Sequence, residues 1–174
     1  SEPVSCCVHG IDLCKIKTGD TVLVMGGGPI GMISVQLAKL SGASLVILSE
    51  PVAEKRELAL KLGADLTVNP IEQNLDEFLA GVTKNVNCVI ECVGNTRTQE
   101  DALRVAGKGA TVMFFGLVGS DAEITVKPDV IFKKELRVTS SFINPYTFPR
   151  AVELISRGRL KFDGIITNVV ALEE

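Results

Sequence analysis

A doubly wound α/β domain, with helices on both faces of a parallel sheet, is the fold class this sequence predicts. Three observations carry that prediction. Short runs are apolar at every position rather than at every second one, which marks strands buried on both faces. Segments of helical period separate those runs and are long enough to serve as the crossovers that parallel strands need. Glycines stand where runs turn into helices and where helices stop, and the chain spends 16 of its 174 residues on them.

The elements follow in order. An acid and a proline, Glu2 and Pro3, open a helix at the start of the chain. "TVLVM" (21–25) is a continuous β-type run that leads into glycines, and "IGMISVQLAKLSG" then places Ile30, Ile33, Leu37 and Leu40 at helical spacing before Gly42 stops it. "LVILSE" (45–50) is the second strand, and "VAEKRELALKLG" a helix closed by Gly63. "DLTVN" (65–69) is a short strand and "IEQNLDEFLAGVT" a helix; "VNCVIECVG" (86–94) is a strand ending in a glycine turn. "RTQEDALRVAG" is a helix, "GATVMFFGLVG" (109–119) a fifth strand, "ELRVTSSF" (135–142) a sixth and "YTFPRAVELISRG" a closing helix. "AEITV" (122–126), just before Pro128, is a short strand-like run. With no repeat or linker in view, residues 1–174 form one domain.

Composition narrows what such a domain can do. The hydrophobic share is 46% with no tryptophan and one tyrosine, so the core is aliphatic. A net charge of −3, without a run of Lys or Arg, argues against a nucleic-acid partner. The absence of a long uncharged apolar stretch and of a basic, apolar leader argues against membrane and secretion signals. Cys6, Cys7, Cys14, Cys88 and Cys92 lack the CxxC spacing of a metal site. They read as free thiols of a reducing cytoplasm, with a disulfide or zinc site as the alternative. The chain opens at Ser1 and closes with "ALEE", which resembles the start of a helix, so a piece of a longer protein is expected.

"VLVMGGGPIGM" (22–32) holds four glycines in eleven residues, although interior glycine costs roughly 0.5–1 kcal/mol against alanine. Strand, then Gly26-x-Gly28-x-x-Gly31, then helix is the setting in which that cost has a use. Gly26 permits the tight turn, Gly28 a close approach of backbone to a pyrophosphate, and Gly31 close packing of helix on sheet. Pro29 presets φ at the first helical turn, where no intrahelical bond is lost. The N–H groups left free, Ile30 among them, face the diphosphate along the helix dipole. Glu50 ends the second strand, 19 residues after Gly31, where a carboxylate accepts hydrogen bonds from the adenosine ribose. Together these imply a dinucleotide-binding, Rossmann-type domain; a methyltransferase loop generally lacks the third glycine and the proline.

The stretches "EPVSCCVHG", "GDTVLVMGGGPIGMISVQLAKLSGA", "LVILSEPVAEKRELALKLGAD", "VIECVGN" and "GKGATVMFFGLVG" resemble the cofactor domain of the medium-chain, zinc-dependent alcohol dehydrogenase superfamily. The likeness spans essentially the whole chain and is closest to the sorbitol (polyol) and threonine dehydrogenase branch. The resemblance implies an alcohol substrate, NAD as cofactor, a homodimer or tetramer with 122–126 at the dimer edge of the sheet, and a catalytic zinc held mainly by sequence that precedes this domain. Glu2, in the family's "EP", would stand beside that zinc, while His9 packs or hydrogen-bonds in its helix. By the same resemblance Lys55 lies near the ribose, Val93 and Gly94 line the adenosine side, Leu117 and Val118 approach the nicotinamide, and Ser141, Phe142 and Ile143 offer backbone groups to the carboxamide. Ile143 stands where sorbitol-active relatives carry arginine, which argues against sorbitol and leaves the alcohol open. This chain alone is expected to bind cofactor and catalyse nothing. A zinc-free quinone reductase using NADPH and a non-enzymatic nucleotide-sensing module are the other readings.

Overall fold

The computed structural model describes residues 1–171, so all but the first residue of the "ALEE" segment lies outside the described residues. Seven helices and six strands alternate among them: α1 (Glu2–Cys14), β1 (Thr21–Met25), α2 (Pro29–Leu40), β2 (Leu45–Ser49), α3 (Ala53–Lys61), β3 (Leu66–Val68), α4 (Leu75–Val82), β4 (Cys88–Glu91), α5 (Thr96–Val105), β5 (Thr111–Phe114), α6 (Pro128–Lys134), β6 (Arg137–Ser140) and α7 (Phe148–Ser156). Every strand pairing is parallel, and the order across the sheet is β3-β2-β1-β4-β5-β6. The chain winds outward from β1 to β3, returns, and winds outward again from β4 to β6. The exits of β1 and β4 therefore border the point where the winding reverses, which is where this architecture opens a crevice.

The doubly covered sheet explains why its strands are apolar at every position. Successive side chains of a strand point to opposite faces. Val22, Val24, Val46, Leu48, Cys88, Ile90 and Met113 enter one core, beneath α1, α2 and α7. Leu23, Met25, Ile47, Val68, Val89 and Val112 enter the other, beneath α4 and α5. In β1, β2, β4 and β5 neither face is left for water, so no polar alternation is possible there, whereas β6 at the sheet edge is exposed at Arg137, Val138 and Ser140.

The strands are shorter than the apolar runs that announced them. The runs at 86–94 and 109–119 give only Cys88–Glu91 and Thr111–Phe114. Beyond Glu91 the amides of Val93 and Gly94 turn back to its side chain, while those of Phe115 and Gly116 both close on its carbonyl, each at 2.8 Å. The run at 135–142 likewise yields Arg137–Ser140, and Glu50 lies one residue past β2. The helix expected over 71–83 starts only at Leu75, because Asn74 Oδ1 accepts the amides of Asp76 and Glu77 and caps it there.

Two corrections concern the segment between β5 and β6. Residues 122–126 are not a strand: the Thr125 amide donates to Glu100 Oε1 at 2.8 Å, and Ile124 and Val126 pack against the second core. Helix α6 follows instead. Its signals were in the sequence: Pro128 at the first turn, Asp129 beside it, Lys133 and Lys134 in the last turn, and an i,i+4 ion pair between Asp129 and Lys133 at 3.0 Å.

The first helix is fastened to the last. Thr147 Oγ1 donates to the Ser5 carbonyl at 2.8 Å, Asn144 Nδ2 to Ser5 Oγ at 2.6 Å, and Arg150 clasps Asp12. Gln36 on α2 exchanges two hydrogen bonds with the Lys161 backbone, at 2.8 and 3.0 Å. Among the described residues no helix is long and apolar enough to cross a membrane.

A Cβ on Gly31 would lie 1.9 Å from the Gly26 carbonyl oxygen, a clash with backbone that no rotamer relieves. A Cβ on Gly28 would meet nothing within 4 Å. Urea unfolding should accordingly show Gly31→Ala less stable by about 1–3 kcal/mol. The same change at Gly28 should stay within about 0.5 kcal/mol of the parent.

Candidate functional site

The strand registers bring Ser49, Met25, Glu91, Phe114 and Ser140 into one row at the C-terminal edge of the sheet. The site is built on the loops that leave this row. Gly26 makes the first turn at φ +100°, its amide bonded to the Ser49 carbonyl at 2.9 Å. Gly28 is extended and caps α2, and the first α2 hydrogen bond runs from Met32 N–H to the Gly28 carbonyl at 2.9 Å. Pro29 has no N–H, so the amides of Ile30 and Gly31 are the free donors of this helix end, with the positive end of the helix dipole behind them. The side-chain space above Gly28 is open. That combination of bare backbone, free donors and helix N-terminus is suited to an anionic diphosphate.

A cleft of about 1010 Å³ opens beside this loop. Its walls include Gly26, Glu50, Lys55 and Val93, four residues singled out above, together with Asn95, Arg97 and Thr98 at the start of α5. Glu50 is buried at 5% exposure and is held by backbone rather than by a cation. Its Oε2 accepts the Gly27 amide at 2.6 Å and its Oε1 the Val52 amide at 3.0 Å. One lone pair on each oxygen remains for a ligand hydroxyl. Arg56 Nη1 donates to the carbonyls of Glu50 and Pro51 at 2.9 and 2.6 Å, which orders the guanidinium beside the exit of β2. Lys55 is exposed on the cleft wall.

The remaining predicted residues lie along the same edge but outside this cleft. Gly94, at φ +77°, closes the turn after β4. Leu117 and Val118 follow β5, with Leu117 at 93% exposure. Ser141, Phe142 and Ile143 follow β6; the Ser141 hydroxyl is buried without a partner, and Phe142 is exposed. Ile143 and Tyr146 adopt φ of 53° and 60°, a left-handed conformation that a β-branched residue such as Ile143 rarely takes. Sequence reasoning missed Asn95, Arg97 and Thr98, whose types are ordinary for a helix start; Asn95 Oδ1 caps α5 by accepting the Thr98 amide at 2.8 Å. It also assigned no role to Glu91, although an acid inside a wholly apolar strand was the available signal.

No group of three or more His, Cys, Asp and Glu among the described residues could hold a metal ion. Glu2 is exposed at the start of α1 and accepts a hydrogen bond from Cys6 Sγ at 3.0 Å, and His9 is half-buried on the same helix. All five cysteines are free thiols. Burial, reinforced by Glu2, pushes the Cys6 thiol up to about 11, and burial raises Cys7 to about 12. Cys88 is raised by its hydrogen bond with Cys14 and by burial, and Cys92 by burial.

The chain matches a family profile described as zinc-binding dehydrogenase over residues 29–157. Among curated proteins it is 32% identical to D-arabinitol dehydrogenase 1 of Uromyces fabae, covering 99% of this chain and 51% of that one. It is 34% identical to the erythritol/L-threitol dehydrogenase of Mycolicibacterium smegmatis, covering 100% and 48%. Among solved structures, a provisionally assigned zinc-binding dehydrogenase of Sinorhizobium meliloti 1021, bound to NADP, superposes with a TM-score of 0.92 at 43% identity, covering 95% of this chain and 50% of that one. The chain spans about half the length of the curated relatives it matches.

Thiols held protonated react slowly, because the thiolate is the nucleophile. With a chromogenic disulfide reagent at pH 8, the native chain should release colour slowly and from Cys6 first. All five thiols should react at once in denaturant, and the native rate should climb as pH approaches 11.

Proposed function

The chain belongs to the zinc-binding dehydrogenase family, and from that premise we propose that it is the nucleotide-binding domain of an NAD-dependent alcohol or polyol dehydrogenase. The observation that carries this is the open cradle above Gly28, with free amides at the α2 N-terminus and the buried Glu50 carboxylate on the wall of the adjoining cleft. In this reading Gly26, Gly28, Pro29, Ile30 and Gly31 receive the diphosphate, and Glu50 and Lys55 receive the adenosine ribose. Val93 and Gly94 line the adenosine side, and the nicotinamide half reaches Leu117, Val118, Ser141 and Phe142. Bound there, the cofactor supplies the hydride acceptor for alcohol oxidation. The chain's part is to fix the diphosphate on backbone amides, orient the ribose, and offer an apolar edge to the reacting ring. The donor set of the described residues does not fit a zinc ion, so we assign zinc to the portion of the protein outside this chain and route no step through it. The matched relatives lend no support to a quinone reductase or a nucleotide-sensing module.

Cofactor choice follows from Glu50. A ribose hydroxyl can donate to its carboxylate, a bond typically worth about 1.5–3 kcal/mol. A 2′-phosphate would bring about two negative charges beside it, each repelled by about 4 kcal/mol at 4 Å in an effective dielectric of 20. Lys55 and Arg97 on the cleft wall, and Arg56 with Nη1 held by two carbonyls, are cations a phosphate could meet, but none removes the Glu50 carboxylate. The NADP bound to the Sinorhizobium protein is the specific observation on the other side. Calorimetry with NADH and NADPH decides between them. Wild type should bind NADH at least tenfold tighter, Glu50→Ser should narrow that gap, and a folded Gly28→Val should lose both. Tighter binding of NADPH by wild type would overturn the NAD assignment; a folded Gly28→Val that still binds would overturn the diphosphate site.

We also propose a cytoplasmic homodimer. The sheet ends at β6, whose outer edge is unpaired in the single chain, with Val138 half-exposed and Phe132 of α6 at 82% exposure. Such an edge invites a second copy in an isologous contact. Ile124, in the segment first read as that edge, is engaged by the second core instead. Sedimentation should show a dimer that Val138→Lys dissociates while the fold persists; a monomer at high concentration would refute it.

A further inference from the structure

Glu91 is wholly buried at the C-terminal end of β4, in register between Met25 and Phe114, and no salt bridge reaches it among the described residues. Its Oε1 takes three donors: the Val93 amide at 2.8 Å, the Gly94 amide at 3.0 Å and Thr98 Oγ1 at 2.8 Å. Its Oε2 has none and is sealed from solvent. Gly94 and Gly116 press together over it. A Cβ on Gly116 would lie 2.2 Å from the Gly94 nitrogen and 2.9 Å from Glu91 Oε2. Fastening the loop would require only the one oxygen that is used. Burying the second without hydrogen bond or cation is costly, so an acid here calls for a role that a neutral acceptor cannot fill.

We propose that Glu91 sets the preference of the cleft between oxidised and reduced cofactor, its buried and cation-free carboxylate favouring the positively charged nicotinamide ring over the neutral one. This rests on the cofactor reading above, which runs the nicotinamide half past Leu117 and Val118, just beyond the Phe115 and Gly116 amides that close on the Glu91 carbonyl. The charge of the ring is what distinguishes the two forms, and a carboxylate shielded from water acts on it with little screening. A residue that only fastened the loop would change affinity for both forms equally.

Glu91→Gln tests this with little disturbance, since the amide oxygen keeps the three donors and the amide nitrogen replaces the oxygen that has no partner. ADP-ribose, NAD+ and NADH are titrated by calorimetry against the wild-type chain and the variant. The expected result is unchanged ADP-ribose affinity with an NAD+ to NADH affinity ratio lowered by about fivefold. A folded variant whose ratio stays within twofold of wild type overturns the proposal and leaves the cofactor reading intact. Wild type that binds none of the three overturns both. Should Glu91→Gln fail to fold, Glu91→Asp serves in its place: it keeps the charge, so the wild-type ratio must persist, and its loss overturns the proposal.

Discussion

The close approach of α2 to the exit of β1 is the constraint on which the rest of the site depends. Gly31 sits so near the Gly26 carbonyl that only a hydrogen fits between them. That contact aims the helix N-terminus, with its free amides, at the crevice between β1 and β4. It also fixes Gly27 against Glu50: a Cβ there would meet Oε2 at 2.9 Å. Three glycines thus set the position of the α2 amides and of the acid next to them, and each is required for a different distance.

Two glutamates complete the frame in the same way. Glu50 beyond β2 and Glu91 at the end of β4 are buried acids whose hydrogen bonds come mainly from backbone amides of the loops beside them. A carboxylate used so is a short, strong staple: charge-assisted bonds from amides are stronger than neutral ones and need no second long side chain to be ordered. The loops they hold are those that form the crevice, so its shape is set by residues that are themselves anchored in the sheet.

The fold was legible because burial on both faces writes itself into the sequence as near-continuous apolar runs at β1, β2, β4 and β5, with the shorter, more polar β3 and β6 at the two edges of the sheet. Their ends were not legible. Where a strand stops depends on where its amides find another acceptor, and for β4 and β5 that acceptor is Glu91, a choice made by three-dimensional neighbours rather than by local pattern. The run at 122–126 misled for a related reason. Its alternation was genuine, but Ile124 and Val126 turn inward as loop residues while Glu100 takes the Thr125 amide. Two of the motif's glycines were legible as backbone requirements, Gly26 for its positive φ and Gly31 for its approach to the Gly26 carbonyl, while Gly28 answers to no neighbour within the chain and its reading rests on the ligand proposed for it. Residues such as Asn95, Arg97 and Thr98 reach the cleft only because α5 starts there, and nothing in their types announced it.

The bonds that fasten α1 to α7 join residues 142 positions apart, from Ser5 to Thr147. A parallel, doubly wound sheet can assemble from local βαβ units, but this clasp must close across nearly the full length of the described residues. Its entropic cost must be met before its contacts repay it. Helix α1 can settle early against α2, where Cys7 Sγ meets the Ile30 carbonyl at 3.8 Å, but its bonds at Ser5 and Asp12 wait for Thr147 and Arg150 at the start of α7. Within this domain the final fastening of α1 depends on residues far along the chain, and until they arrive its α7-facing side is open to misassociation.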